Sequence, residues 1–109
     1  MIEFHLVLKA PLHKTRVILE AMQVLAKNVR SEPGCLNASV YRTVGLSSRI
    51  YYQETWDSEE VLKKMILSRH FSQLVTLMEL SVEPPDCQFR FIQEVRALDY
   101  AEYVREGVL

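Results

Sequence analysis

His70 is one of the few residues in this 109-residue chain whose type and neighbours suit chemistry. An imidazole titrates near neutral pH, so a histidine among apolar residues could accept the proton of a phenolic substrate. A structural histidine, bonded to a backbone carbonyl, would have the same neighbours. The sequence leaves both roles open for His70.

Glu54 is the second candidate, because it lies between aromatic residues inside a predicted strand. A buried carboxylate must be paired or must keep its proton, which would suit an acid or a base. The alternative is a salt bridge from Glu54 to Arg69 or Arg42. Trp56, two residues further on, is expected to stack on an aromatic substrate, to pack in the core, or to do both.

Other side chains offer little chemistry. His5 and His13 have no second ligand at metal spacing, and Cys35 and Cys87 stand far apart without a CxxC pattern. We therefore predict no metal site and two free thiols, with a disulfide between Cys35 and Cys87 as the alternative. The chain has only three glycines and no phosphate-binding loop, so a nucleotide or flavin site is not expected either. No cofactor is predicted.

The bulk properties limit the possible partners. The chain has 13 Lys and Arg against 14 Asp and Glu, so it lacks the positive field that attracts nucleic acid. Its apolar runs are short, and the N-terminal stretch contains Glu3 and His5, so neither a membrane span nor a signal peptide is expected. We predict one cytoplasmic domain over residues 1–109, with a core of residues 1–97 and a tail of residues 98–109.

The elements that position these residues follow from periodicity. Residues 2–9 alternate between apolar and polar, which predicts a strand. Apolar residues then recur at helical spacing from Ile18 to Val29, and this amphipathic helix should end near Ser31, before Pro33. Two β runs, at 36–41 and 51–56, are separated by a short loop and predict a hairpin.

The second half of the chain predicts helix, then strand. Asp57 and Glu60 fit a capping box that opens a helical region running from Ser58 to about Leu80. A slip in its apolar phase predicts a break at Ser68, where that serine could cap a second helical piece. Residues 88–95 alternate like a fourth strand, and the tail has roughly helical spacing that could pack on the domain or on a partner.

The order β, α, β, β, α, β predicts an α+β fold of ferredoxin-like topology, with a four-stranded antiparallel sheet and helices on one face. The other face of the sheet would then be bare. Large side chains are expected to project from it, namely Val7, Tyr41, Tyr51 and Ile92. An exposed apolar patch of this kind favours a homodimer that packs through the sheet face.

Three segments carry a resemblance to a known family: Ser-Glu-Pro-Gly-Cys-Leu at 31–36, Gln-Glu-Thr-Trp-Asp-Ser-Glu-Glu at 53–60 and Ser-Arg-His-Phe at 68–71. Together they resemble the antibiotic biosynthesis monooxygenase family. Its pattern combines a Pro-Gly-Cys turn, a Glu-x-Trp at the end of the third strand, and a helix with two histidines about five residues apart. His70 matches the second histidine, and Met65 stands at the first.

The resemblance implies a dimeric α+β barrel with a small apolar cavity between the sheet and the second helical region. Tyr52, Glu54 and Trp56 share one face of the third strand and could line such a pocket. The substrate-binding residues expected on this basis are Trp56, Tyr52, Phe4, Leu6, Met65, Phe71 and Leu74.

The activity that the resemblance implies is oxygenation of a small aromatic phenol, quinol or polyketide-like substrate without metal or flavin. His70 would deprotonate the substrate, Glu54 would orient His70 or the substrate, and the substrate anion would reduce dioxygen directly. One alternative is a non-catalytic module that binds or senses a small ligand, which Met65 in place of a histidine favours. The other is haem degradation, with His70 as the axial ligand.

Overall fold

The computed structural model describes residues 1–43, 45 and 48–107. Residues 44, 46, 47, 108 and 109, in the predicted hairpin loop and at the end of the tail, lie outside the described residues. The secondary-structure elements are β1 (Ile2–Lys9), a 3-10 turn (Leu12–Lys14), α1 (Thr15–Val29), β2 (Cys35–Arg42), β3 (Arg49–Trp56), α2 (Glu59–Ile66), α3 (Arg69–Met78), β4 (Asp86–Phe91) and α4 (Leu98–Gly107).

The four strands form one antiparallel sheet in the order β2-β3-β1-β4. This arrangement confirms the predicted ferredoxin-like topology. In the centre of the sheet, Phe4 of β1 lies opposite Glu54 of β3, and Leu6 lies opposite Tyr52. A β-bulge interrupts the β2–β3 ladder between Cys35 and Asn37.

The core lies between one face of the sheet and the helices. The alternation of β1 buries Ile2, Phe4, Leu6 and Leu8 on the helix-facing side, as the period of two predicts. The inward stripe of α1 also follows its helical spacing and consists of Ile18, Met22, Leu25, Ala26 and Val29. Both elements therefore form where the apolar periodicity places them.

The predicted break in the second helical region is confirmed. The chain leaves α2 at Ile66 and enters α3 at Arg69, with Ser68 as the extended residue before α3. The Ser68 hydroxyl does not cap α3, because it donates a hydrogen bond to the Met65 carbonyl at 2.6 Å. The start of α2 also differs from the prediction: Ser58, rather than Asp57, is the N-cap, and its hydroxyl accepts from the Val61 N–H at 3.4 Å.

The fourth strand is earlier than the alternation suggests, at Asp86–Phe91 rather than 88–95. It pairs with β1 alone, and Phe91 lies opposite Ile2, the first residue of β1. Beyond that point only one ladder-like bond remains, from the Ile92 N–H to the Met1 carbonyl at 2.9 Å. The strand ends because its partner ends, and Ile92 does not join the bare face.

The tail forms α4, in which every residue is exposed. The radius of gyration is 16.5 Å, against about 13 Å expected for a compact domain of this length. The described part of the chain is accordingly elongated, with extents of 54 × 36 × 22 Å. None of its helices is long and apolar enough to span a membrane.

Both cysteines are free, as expected. Cys35 lies in β2 and Cys87 in β4, which are the two edge strands of the sheet. Three inter-strand spacings of about 4.8 Å separate them. This separation is too great for a disulfide without a large movement of the backbone.

Candidate functional site

A completely buried carboxylate, that of Glu54, is the centre of the candidate site. Its position follows from the pleat of β3, because Ile50, Tyr52, Glu54 and Trp56 alternate onto the buried, helix-facing side. Three of these four inward positions carry apolar or aromatic side chains. A charge in such a place must be neutralised by hydrogen-bond donors.

Three side chains supply those donors. The Tyr52 hydroxyl donates to Glu54 Oε2 at 2.5 Å, and the Trp56 Nε1–H donates to Oε1 at 3.0 Å. His70 Nε2 lies 2.5 Å from Oε2 and 3.3 Å from the Tyr52 hydroxyl. These contacts suit an ionised carboxylate, which only accepts hydrogen bonds. The partners of Glu54 are thus not Arg69 or Arg42, which the sequence had suggested as a salt-bridge alternative.

Tyr52 acts in this network as a fixed donor. Burial raises the pKa of its hydroxyl far above the usual range, and the charge of Glu54 and its hydrogen bond raise that pKa further. The phenol therefore keeps its proton throughout the physiological pH range. The sequence placed Tyr52 in the wall of a pocket, whereas its hydroxyl binds Glu54 behind that wall.

His70 connects the buried carboxylate with a cavity. It is the second residue of α3, directly after the break at Ser68 that separates α3 from α2. The side chain of His70 is 15% exposed. Because its Nε2 contacts Glu54, Nδ1 is the ring nitrogen that remains for another partner.

The cavity has a volume of about 530 Å³, within the range of small-molecule sites. It lies between the end of α1, the turn before β2, the end of β3, and the α2–α3 pair. Its apolar lining consists of Leu25, Val29, Pro33, Trp56, Val61 and Met65. Its polar lining consists of Asn28, Glu32, Lys64, Ser68, Arg69, His70 and Gln73. An apolar pocket with convergent polar groups suits a small aromatic molecule.

Three of the predicted site residues line this cavity, namely His70, Trp56 and Met65. Glu54 and Tyr52 lie directly behind them in the hydrogen-bond network. The other predicted pocket residues lie elsewhere.

Phe4, Leu6 and Leu74 are completely buried in the core, and Phe71 packs against Phe4 with ring centroids 5.9 Å apart. None of these four lines the cavity. The ring of Phe4 also contacts Tyr52 and Phe89, so aromatic side chains fill the space above the middle of the sheet. The cavity therefore lies nearer the end of α1 than the predicted position above Phe4 and Leu6.

The sequence analysis missed the contribution of the first helix and of the turn that follows it. Leu25 and Val29 belong to the inward stripe of α1, and Pro33 belongs to the Pro-Gly-Cys turn. Their inward position was predictable, but their proximity to Trp56 depends on how α1 packs on β3. The polar residues Asn28 and Gln73 carried no sequence signal.

The Pro-Gly-Cys turn requires a glycine at position 34. The φ of Gly34 is +85°, and a Cβ atom added there would lie 2.8 Å from Val61 Cγ2. Its carbonyl also accepts a hydrogen bond from the Asp57 N–H at 3.0 Å. This bond ties the Pro-Gly-Cys turn to the residue that follows Trp56. Pro33 of the turn and Val61 of α2 both line the cavity on this side.

Cys35 lies near the network but is not a ready nucleophile. Burial raises the pKa of its thiol, and the charge of Glu54 raises that pKa further. The reactive thiolate is therefore scarce at neutral pH. Among the described residues, no three His, Cys, Asp or Glu side chains are grouped so that they could hold a metal ion.

The chain matches the model of a known protein family. The family model described as antibiotic biosynthesis monooxygenase matches residues 2–77. This span contains β1 to β3, α1, α2 with Met65, and all of α3 except its last residue, Met78. No curated protein matches the sequence.

Solved structures share the fold at low sequence identity. A protein from Deinococcus radiodurans, described as a candidate antibiotic biosynthesis monooxygenase, has a TM-score of 0.78 at 18% identity, over 89% of this chain and 97% of that one. A protein from Mycobacterium tuberculosis has a TM-score of 0.76 at 13% identity, over 88% and 98%. A conserved protein from Methanosarcina mazei Go1 has a TM-score of 0.72 at 20% identity, over 82% and 89%.

Proposed function

The chain belongs to the antibiotic biosynthesis monooxygenase family, and from this premise we propose that it oxygenates a small aromatic substrate bearing an ionisable hydroxyl group. The observation that carries the proposal is the contact between His70 and the buried Glu54, at the wall of an apolar cavity. A histidine held by a carboxylate is an arrangement suited to proton abstraction.

His70 acts as the base through Nδ1. Its Nε2–H donates to Glu54, so the lone pair of the neutral ring is on Nδ1. When Nδ1 takes the substrate proton, the ring becomes an imidazolium, and the Glu54 carboxylate 2.5 Å away stabilises that charge. Tyr52 and Trp56 hold the carboxylate in place, so it does not need to reorganise during the reaction.

The substrate supplies all the electrons in this proposal. Its anion transfers electrons to dioxygen, and a carbon–oxygen bond forms to give a ring peroxide. The O–O bond then breaks, one oxygen atom stays on the ring as a new carbonyl or hydroxyl group, and the other leaves as water. A hydroquinone would give a hydroxyquinone and water: His70 returns its proton to the peroxide, and the second proton of the water comes from the ring carbon that becomes the new carbonyl. Trp56 and Met65 keep bulk water from the anion.

A non-catalytic binding or sensing role is the second candidate, and Met65 favours it. Met65 is buried in the cavity wall at the position where the family pattern places a histidine. A thioether adds apolar surface to a ligand site but cannot transfer a proton. The cavity would then hold the same aromatic class without turnover.

Haem degradation is less well supported. His70 would have to be the axial ligand through Nδ1, because its Nε2 is engaged by Glu54. Ligation through Nε2 would leave a buried carboxylate short of a donor. A titration with haem that shifts the Soret band in wild type but not in His70→Ala would favour this alternative.

Oxygen uptake with a neutral hydroquinone tests the proposal. His70→Ala should lower the rate by roughly a hundredfold to ten-thousandfold, the usual contribution of a general base. His13→Ala, at an exposed histidine, is the matched control and should leave the rate unchanged. Equal rates in wild type and His70→Ala would overturn the role of His70.

A different result would favour the binding role over the enzymatic proposal. That result is a wild type that binds aromatics, takes up no oxygen with them, and gains no oxygen uptake from Met65→His. A gain of activity in Met65→His would instead identify an oxygenase site that lacks one group.

The proposal includes a homodimer that packs through the sheet face opposite the helices. Val7, Tyr51 and Tyr41 lie side by side there across β1, β3 and β2. Tyr41 is 56% exposed and Tyr51 37%, and a groove of about 380 Å³ runs beside them. Aromatic side chains in an exposed row are typical of interface cores.

A further inference from the structure

We infer that the natural substrate carries a carboxylate beside its oxidisable ring, and that Lys64 and Arg69 at the mouth of the cavity bind that carboxylate. The inference rests on the proposed function, because it concerns the substrate of the same cavity. The proposed function requires an aromatic ring and an ionisable hydroxyl group on the substrate. This inference adds a negative charge.

The charges that line the cavity support it. Lys64 and Arg69 both line it, against one acidic lining residue, Glu32. The whole chain has a formal net charge of −1, so the cavity mouth has the opposite sign to the protein. Two cations against one carboxylate leave one net positive charge at the cavity, which a single carboxylate on the substrate would neutralise.

Neither cation is engaged elsewhere within the described part of the chain. Lys63, beside Lys64, pairs with Glu59 at 3.8 Å, and Arg30 donates to the Ala38 carbonyl at 2.8 Å. Lys64 and Arg69 have no comparable ion pair or side-chain hydrogen bond there, and both are exposed. They can therefore bind a ligand without first breaking an internal contact.

The chain order places each cation next to a residue of the cavity wall. Lys64 precedes Met65 near the end of α2, and Arg69 precedes His70 at the start of α3. All four residues line the same cavity, so a substituent on a ring bound against Met65 and His70 shares that cavity with both cations. The guanidinium of Arg69 can bind a carboxylate through two parallel hydrogen bonds, while the Lys64 ammonium contributes a point charge.

Two probes that differ only in charge test the inference: 2,5-dihydroxyphenylacetate and its primary amide. For wild type, kcat/KM for the acid should exceed that for the amide by about tenfold or more, mainly through KM, since hydrogen bonds to charged groups are strong. The ratio should fall with added salt. The double variant Lys64→Gln/Arg69→Gln should bring it to about one, and Lys63→Gln, at the neighbouring cation outside the cavity, should leave it unchanged.

Equilibrium binding separates a failure of this inference from a failure of the proposed function. Trp56 is the single tryptophan and lines the cavity, so its fluorescence reports binding without turnover. If neither probe is oxidised but the acid binds more tightly and the double variant loses that preference, the proposed oxygenation fails and the carboxylate site stands. If both probes are oxidised with equal kcat/KM, or the double variant keeps the preference, Lys64 and Arg69 are ordinary solvated cations and the inference is overturned.

Discussion

His70 Nε2 lies 2.5 Å from Glu54 Oε2, which joins the first turn of α3 to the middle of β3. The two residues are 16 positions apart, and His70 follows the break between α2 and α3 at Ser68 by two residues. Glu54 has no solvent contact, whereas His70 lines the cavity. His70 therefore connects the buried carboxylate of Glu54 to the cavity at the edge of the core.

Glu54→Gln should lower both turnover and stability. The amide keeps the shape of the side chain but removes the charge that stabilises a protonated His70, so kcat for a hydroquinone should fall at least tenfold. Its NH2 group would also face donors, at a cost of about 1–3 kcal/mol in unfolding free energy. Urea denaturation and oxygen uptake measure the two effects. The control is Glu20→Gln on the exposed side of α1, and unchanged turnover in Glu54→Gln would contradict the role of the carboxylate.

Tyr52 should make stability depend on alkaline pH. Its pKa is raised in the folded state, so the folded chain keeps a proton that the unfolded chain loses above the ordinary tyrosine pKa of about 10. The stability from this group is complete below pH ~10 and is lost as the pH rises above that value, by about 1.4 kcal/mol per pH unit.

The variant Tyr52→Phe isolates this effect. It should be less stable than wild type by about 1–2 kcal/mol at pH 8, where it lacks the bond to Glu54. The difference should shrink between pH 10 and 11, because phenylalanine does not titrate. Urea denaturation across this range measures it, with Tyr103→Phe on the exposed α4 as control. Parallel pH curves for wild type and Tyr52→Phe would rule out the shift.

The fold could be predicted from the sequence more fully than the site could. β1 and α1 have one buried face each, so their periodicity marks their inward residues directly. Alternation also places Phe4 and Leu6 on the helix-facing side, but it does not reveal whether the space above them is filled. Phe71 and Phe89 fill it, and only the packing of distant elements determines that.

The network around Glu54 was partly predictable for the same reason. Tyr52 and Trp56 flank Glu54 at two-residue spacing, so a shared face follows from the strand alone. The contact of Glu54 with His70 also depends on how α3 is oriented after the break at Ser68. No local sequence pattern specifies that orientation. The cavity itself depends on the approach of α1 to β3.

Trp56→Ala should destabilise the fold as well as any activity. Truncation of a large buried aromatic side chain costs about 3–5 kcal/mol, and Glu54 Oε1 would also lose its donor. Trp56→Phe, which keeps a ring but not the N–H, should fall between wild type and Trp56→Ala. Thermal and urea unfolding measure the series. A melting temperature unchanged in Trp56→Ala would be incompatible with the burial of this side chain.

Replacement of Tyr51 by Asp should weaken self-association. The proposed dimer buries the row of Val7, Tyr51 and Tyr41, and a carboxylate in its centre would be desolvated without a partner. Sedimentation velocity at micromolar concentration should show a dimer for wild type and a shift to monomer for Tyr51→Asp. Val17→Asp, on the exposed surface of α1, should remain dimeric. A wild type that is monomeric at every concentration would remove the proposed interface.

Gly34→Ala should destabilise the chain more than the same change at Gly45. Both glycines have positive φ, +85° and +103°, so each alanine adds the strain of a left-handed conformation, about 1–2 kcal/mol. At Gly34 the new Cβ atom would also meet side-chain atoms, Val61 Cγ2 at 2.8 Å and Asp57 Oδ1 at 3.1 Å, whereas no atom of the described residues beyond its chain neighbours lies within 4 Å of that position at Gly45. The excess cost at Gly34 in urea denaturation therefore reports on its close contacts with Val61 and Asp57.

A double variant completes this test. Val61→Ala removes both methyl groups that the new Cβ atom would meet, so Gly34→Ala should cost less in the Val61→Ala background than in wild type. Val61 also lines the cavity, so the single variant Gly34→Ala, which pushes Val61 aside, should weaken the quenching of Trp56 fluorescence by an aromatic ligand. Equal costs for Gly34→Ala and Gly45→Ala, with no relief from Val61→Ala, would show that the turn moves freely away from α2 and does not form a fixed wall of the site.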